Sequence, residues 1–207
     1  MDSYNEASET IRDKVVGLLN RANAAVDKQY ALTCLKEIEE LLFERTDIDE
    51  DDRSALLHEF SEDVVGFHLE PNVKMRSFVV SFIETLAKSY PEQILKVLYV
   101  FVNLASDKHD DVVKKTLQAG VHVYRRSLSL LCAQAGAAGK TSDDLRNAVK
   151  SLFNLKGNLA MHISSKKDVL RSLTIKFMES VILCHSTVTS DANIVKTSAR
   201  NARLEPL

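Results

Sequence analysis

Several side-chain groupings in this sequence approach catalytic or metal-binding patterns, and each lacks a residue that its chemistry requires. Gly136-Ala137-Ala138-Gly139-Lys140-Thr141 echoes a phosphate-binding loop, where backbone N–H groups cradle phosphate and a lysine reaches it. Such a loop needs four residues between its glycines and a strand before it. Gln134 stands where the first glycine should be, and the pattern upstream is helical, so a plain inter-helix connection is expected. His58-Glu59-Phe60-Ser61-Glu62 nearly matches a zinc-protease helix, but Glu62 occupies the place of the second imidazole. His68, His122, His162 and His185 are isolated, and no Cys-x-x-Cys pair occurs. None of Cys34, Cys132 and Cys184 is followed six residues later by the arginine of a thiol-phosphatase loop, so buried structural thiols are expected. The acidic run Asp47 to Asp52 lacks the glycine and terminal glutamate of a calcium loop. The expectation is a chain that is not an enzyme, with no catalytic residues, no metal and no cofactor.

The elements that carry these residues are helices. Starting from Met75, Val113 and Leu170 and stepping +4, +7, +8 and +11 traces one apolar helical face three times. The steps give Val79, Phe82, Ile83 and Leu86, then Leu117, Gly120, Val121 and Tyr124, then Thr174, Phe177, Met178 and Val181. Each start is followed by a base: Arg76, Lys114 and Arg171. Arg76 and Lys114 lie 38 residues apart, close to the period of HEAT-type helix pairs, and the next interval is longer by the Ala133–Ser142 stretch. Eight helices are predicted, roughly Ser8–Val26, Lys28–Glu44, Asp51–His68, Asn72–Ser89, Pro91–Ala105, His109–Gln134, Ser142–His162 and Ser165–His185. Short connections make successive helices antiparallel neighbours. The predicted fold is all-α, a HEAT/ARM-like solenoid of about four antiparallel pairs. Residues 1–186 form the repeat domain; 187–207 read as a polar tail or the start of a linker to a missing C-terminal region.

Composition agrees with a packed helical chain: 207 residues, 45% hydrophobic, with only 6 Gly and 3 Pro to interrupt helices. A net charge of −2 provides no global positive field and argues against direct nucleic-acid binding, though a local basic face remains open. Three widely spaced cysteines suit a reducing, intracellular compartment. The N-terminus is polar, and the most apolar run, Ile94 to Ala105, is too short to span a bilayer. No membrane association is expected.

Second helices of successive pairs are expected to line the concave surface of a solenoid, so positions +2, +6, +9 and +13 of the three matched helices, opposite the apolar stripe, should share one partner-binding groove. They are Ser77, Ser81, Glu84 and Lys88; Lys115, Ala119, His122 and Arg126; Ser172, Lys176, Glu179 and Leu183. The candidate partner-binding residues are therefore Lys88, Lys115, His122, Arg126, Lys176 and Glu179, a mixed set that leans basic. Arg76, Lys114 and Arg171 sit at the flank of the stripe and are expected to make structural contacts between repeats, their stems along apolar surface.

Met75-Arg76-Ser77-Phe78-Val79-Val80-Ser81-Phe82-Ile83-Glu84, Asp111-Val112-Val113-Lys114-Lys115 and Ile175-Lys176-Phe177-Met178-Glu179 resemble the N-terminal HEAT domain of the symplekin family, as does Leu35-Lys36-Glu37-Ile38-Glu39-Glu40-Leu41-Leu42. The resemblance runs from about Ile11 to His185 in the same order. It implies a nuclear scaffold of the pre-mRNA cleavage and polyadenylation machinery. It further implies that this domain grips and favours the phosphatase acting on phosphoserine in the RNA polymerase II C-terminal domain, with other cleavage factors as further partners. Lys176 matches a family position that contacts that phosphatase. The Gly/Ala stretch at 133–140 and the lack of any Trp depart from the family pattern. The alternatives are a generic HEAT/ARM adaptor, such as a transport receptor or kinase/phosphatase regulator, and an all-α enzyme that would need bound nucleotide or metal.

Overall fold

The computed structural model describes the backbone of residues 2–137 and 143–201 and the side chains of residues 10–134 and 146–185. Eight α-helices follow one another: α1 (Asp2–Ala24), α2 (Lys28–Phe43), α3 (Glu50–Gly66), α4 (Val73–Ser89), α5 (Ile94–Leu104), α6 (Asp110–Ala137), α7 (Asp143–Ala160) and α8 (Asp168–Asn201). Among the described residues there is no strand. Helix starts are set by side chains that satisfy orphan N–H groups. Asp27 accepts from the Gln29 N–H at 2.9 Å, Asp49 from Asp52 at 2.8 Å, and Asn72 from Lys74 and Met75 at 2.9 and 3.3 Å. Glu50, Asp51 and Asp52 add negative charge to the first turn of α3, where the helix dipole favours it. Pro91 opens a 3-10 turn ahead of α5, where its missing N–H costs nothing.

The helices stack in two layers. α1, α3, α5 and α7 pack side by side in one, and α2, α4, α6 and α8 in the other, each pair bridging the layers. A single pair cannot bury its own stripe, so the core is continuous along the stack. α5 is apolar on nearly every side and its Val97, Leu98, Val100 and Phe101 are fully buried, as a helix enclosed by neighbours requires. No helix among the described residues is long and apolar enough to cross a membrane.

The threefold stripe is the inner face of the second layer. Met75, Val79, Phe82, Ile83, Leu86, Thr174 and Phe177 are all 0% exposed, and Val113, Leu117, Tyr124, Leu170 and Val181 are buried too. Val121 and Met178 are half-buried against the same core. A threonine is tolerated there because the Thr174 hydroxyl donates to the Leu170 carbonyl at 2.8 Å. Gly120 has a spatial reason. A Cβ built on it would lie 3.0 Å from Leu159 Cδ1 and 3.4 Å from the Phe177 ring, so α6, α7 and α8 meet where a side chain is missing. Gly120→Leu is expected to destabilise the chain by about 1–3 kcal/mol through overpacking, read as a lowered urea midpoint with an unchanged slope.

Three expectations change. α8 runs on to Asn201 instead of ending at His185, and α6 continues through Gly136 to Ala137. The echo of a phosphate loop is thus partly helix, while Ala138 to Ser142 lie outside the described residues. Cys34 and Cys184 are buried, but Cys132 is exposed, because it falls on the outward side of α6 beyond the stripe.

Candidate partner-binding face

The second layer presents an outer face, opposite the core. His122, Arg126, Lys176 and Glu179 are exposed on it. Among the described residues none of the four makes an ion pair within the chain, so their charges are available to another molecule. Lys88 is exposed as well but already holds Glu84 at 2.6 Å, one turn away on α4. Lys115 is half-buried. Burial pushes its ammonium below the ordinary lysine value, Glu84 and Glu39 oppose that shift, and Lys36 reinforces it.

Lys115 belongs to a shallow depression of about 440 Å³ between α2, α4 and α6, which Lys36, Glu39, Lys74, Ser77 and Ser81 also line. Burial and the Glu44 charge raise the Glu39 carboxyl above its usual range, against the pull of Lys115 and Lys36. Lys36 and Glu39 were not among the sequence candidates, because α2 lies outside the threefold register. Their signal was the polar pair one turn apart in a helix whose Leu35, Ile38 and Leu42 are wholly buried.

Ala119 does not belong to this face. It is 0% exposed, since α4 packs closely along α6 and a methyl group is what fits between them. Ser77, Ser81 and Glu84 are half-buried for the same reason, α4 being flanked by both α2 and α6.

The three bases after the stripe starts behave differently from one another. Arg76 is 5% exposed. Its Nε and Nη2 donate to the two Asp107 carboxylate oxygens at 2.6 and 3.1 Å, and its Nη1 donates to the carbonyls of Glu70 and Pro71 at 2.8 and 2.7 Å. One guanidinium thus ties the start of α4 to the turn between α5 and α6, in the next repeat. Arg171 repeats the backbone half of this arrangement, donating to the Ser165 carbonyl six residues back at 2.8 Å, and pairs with Asp168. Lys114 is exposed.

The other sequence candidates take structural positions. His58 Nδ1 lies 3.1 Å from Gln93 Oε1, with Lys96 donating to the His58 carbonyl at 3.0 Å, which joins α3 to α5. His162 Nε2 meets the Ala105 carbonyl at 2.8 Å, and His185 Nε2 meets the Tyr124 hydroxyl at 2.8 Å. No cluster of three or more potential metal ligands occurs among the described residues.

Charge is distributed unevenly along the stack. Residues 1–105 hold 20 acidic and 11 basic side chains, whereas residues 106–207 hold 9 and 16. The near-neutral total conceals an acidic end and a basic end, and Lys115, Arg126 and Lys176 lie in the basic half.

A family model described as Symplekin/PTA1 N-terminal matches residues 109–204, the stretch that builds α6, α7 and α8 and carries five of the six candidate residues. The stacked helix pairs, the register they share and this match agree, and over residues 109–204 the chain is similar to the Symplekin/PTA1 N-terminal family.

Proposed function

We propose that this domain binds the phosphatase of the RNA polymerase II C-terminal domain through the outer face of its second layer and favours that enzyme's activity. The observation that carries the reading is Lys176. It is exposed on α8 at the register position that sets Ser81 on α4, and it makes no ion pair among the described residues. It also lies inside the family-matched stretch. The domain acts as a non-enzymatic holder within the nuclear cleavage and polyadenylation assembly, and other factors of that assembly are its further partners. The holding unit is residues 1–186, with 187–207 as a polar tail or the start of a linker, although α8 itself continues to Asn201.

A phosphatase seated here would bring carboxylate or carbonyl groups to Lys176 and Arg126, with His122 and Glu179 between them. Lys176→Ala is expected to weaken binding by about 2–5 kcal/mol if the contact is desolvated. Lys176→Glu should be worse, because it sets like charges together. Neither change should move the melting temperature, since an exposed side chain carries little folding energy. Isothermal titration of the recombinant phosphatase against wild type and each variant tests this. Equal affinities for wild type and Lys176→Glu would remove Lys176 from the interface.

A further inference from the structure

A second docking site lies on the opposite layer. α1 and α3 run in the same direction, held at mid-length by Arg12 on Glu59, whose Nε–Oε2 distance is 3.0 Å. Toward their C-terminal ends they enclose a cleft of about 560 Å³. Its floor is apolar, formed by the buried Leu19, Phe60 and Phe67. Two large apolar side chains on its walls remain in solvent, Val16 at 43% and Leu69 at 80% exposed. Gly66 opens it further, since a Cβ there would meet nothing within 4 Å.

The rim carries negative charge. Glu62 and Asp63 on α3 are exposed and make no ion pair among the described residues. Glu70 holds Lys28 at 3.1 Å, which offsets its own charge only. Arg21 lies on the other flank of α1, with its Nε on the Gly17 carbonyl at 3.3 Å. Both helices end at this cleft, at Ala24 and Gly66, so the negative ends of two dipoles point to it as well. Asn20 and Asn23 on α1 are exposed and can pair with the backbone of an extended segment.

From the apolar floor, the unpaired rim acids and the two helix ends we infer that this cleft docks a short peptide segment of another protein, with an aliphatic or aromatic anchor flanked by lysine or arginine. The anchor covers Val16 and Leu69, and the flanking cations meet Glu62, Asp63 and the helix ends. The site faces away from Lys176, so both faces can be occupied at once.

Random peptides of about seven residues, which reach at most about 25 Å when extended, are displayed on phage, selected on the full chain and depleted against a Gly66→Trp variant. The best recovered peptide is then synthesised and its binding followed by fluorescence anisotropy. The expected sequences place Leu, Ile or Phe beside Lys or Arg. Their affinity should fall by about tenfold both in Gly66→Trp and in Glu62→Lys/Asp63→Lys, which turns two attractions into repulsions. The second variant alters only exposed side chains and decides the matter if Gly66→Trp melts early. Recovery of no peptide overturns the inference, as do peptides indifferent to Glu62→Lys/Asp63→Lys. So does binding that survives replacement of the anchor by serine, which would show charge adhesion alone.

Discussion

Phe82→Ala is expected to lower the unfolding free energy by about 3–5 kcal/mol, the cost of emptying a packed aromatic site. Phe82 is 0% exposed in the centre of α4, a helix flanked on both sides, so its surroundings have little freedom to close over the gap. Its ring also meets Phe43 edge-on at 5.4 Å between centroids, a contact alanine cannot make. Phe177→Ala should fall in the same range. That ring stands edge-on to Tyr124 at 5.9 Å and covers the bare backbone of Gly120, so its removal opens a larger void than the side chain alone. Combined with Phe177→Ala, Gly120→Leu should cost less than the two single changes predict, because the new side chain enters the vacated space. Urea or guanidinium melts with constant slope measure all of these. Near-neutral effects at both phenylalanines would show that the stripe is not the core.

Arg76→Ala is the second large effect, about 3–5 kcal/mol, the typical penalty for leaving a buried charge unpaired. The change strands the Asp107 carboxylate, whose side chain is 8% exposed, and leaves the Glu70 and Pro71 carbonyls without their donor. Replacing both Arg76 and Asp107 by leucine should recover part of the loss, though not all of it, since the two carbonyls stay unsatisfied. Acid should reveal the same pair. Burial raises the Asp107 carboxyl, but the Arg76 guanidinium, the His109 N–H and the nearby positive charge outweigh it, and the group ends below the usual range. A carboxylate with a depressed folded-state pKa stabilises fully above its unfolded value of about 4 and loses that contribution as pH falls through the folded value. Wild type should therefore lose stability on acidification more steeply than Asp107→Asn, which has no such proton to take up. Parallel acid limbs for the two proteins would contradict the assignment.

Most of the fold was legible because its information is local. Apolar spacing specifies the buried face of each helix, and Asp49, Asn72 and Pro91 mark starts by satisfying or omitting N–H groups. Periodicity alone could not say how closely neighbouring helices approach. Ala119 was placed on the open face by angle and is buried because α4 lies against that flank, a property of two helices together. The end of α8 was missed for the opposite reason. The polar sequence after His185 has no apolar stripe to signal a helix, yet it contains no glycine or proline through Asn201 to stop one. What was readable where the repeat register extends is the exposure of Lys88, His122, Arg126, Lys176 and Glu179 on α4, α6 and α8. The face was not readable on α2, where Lys36 and Glu39 join Lys115 only through packing. The α1–α3 cleft left no sequence signal, since its walls come from helices whose outward residues share no motif.

The most direct measurement is a lysine footprint of the chain, alone and saturated with the polymerase phosphatase, using acetylation read by mass spectrometry. Lys88 and Lys176 are exposed and Lys115 half-buried in the second layer, while Lys14 and Lys150 are exposed in the first. The expected result is protection of Lys176 and Lys115, with weaker protection of Lys88, and unchanged labelling of Lys14 and Lys150. Protection confined to Lys14 and Lys150, or none anywhere at saturating phosphatase, would contradict the assignment of the second-layer face as the site where this domain holds its partner.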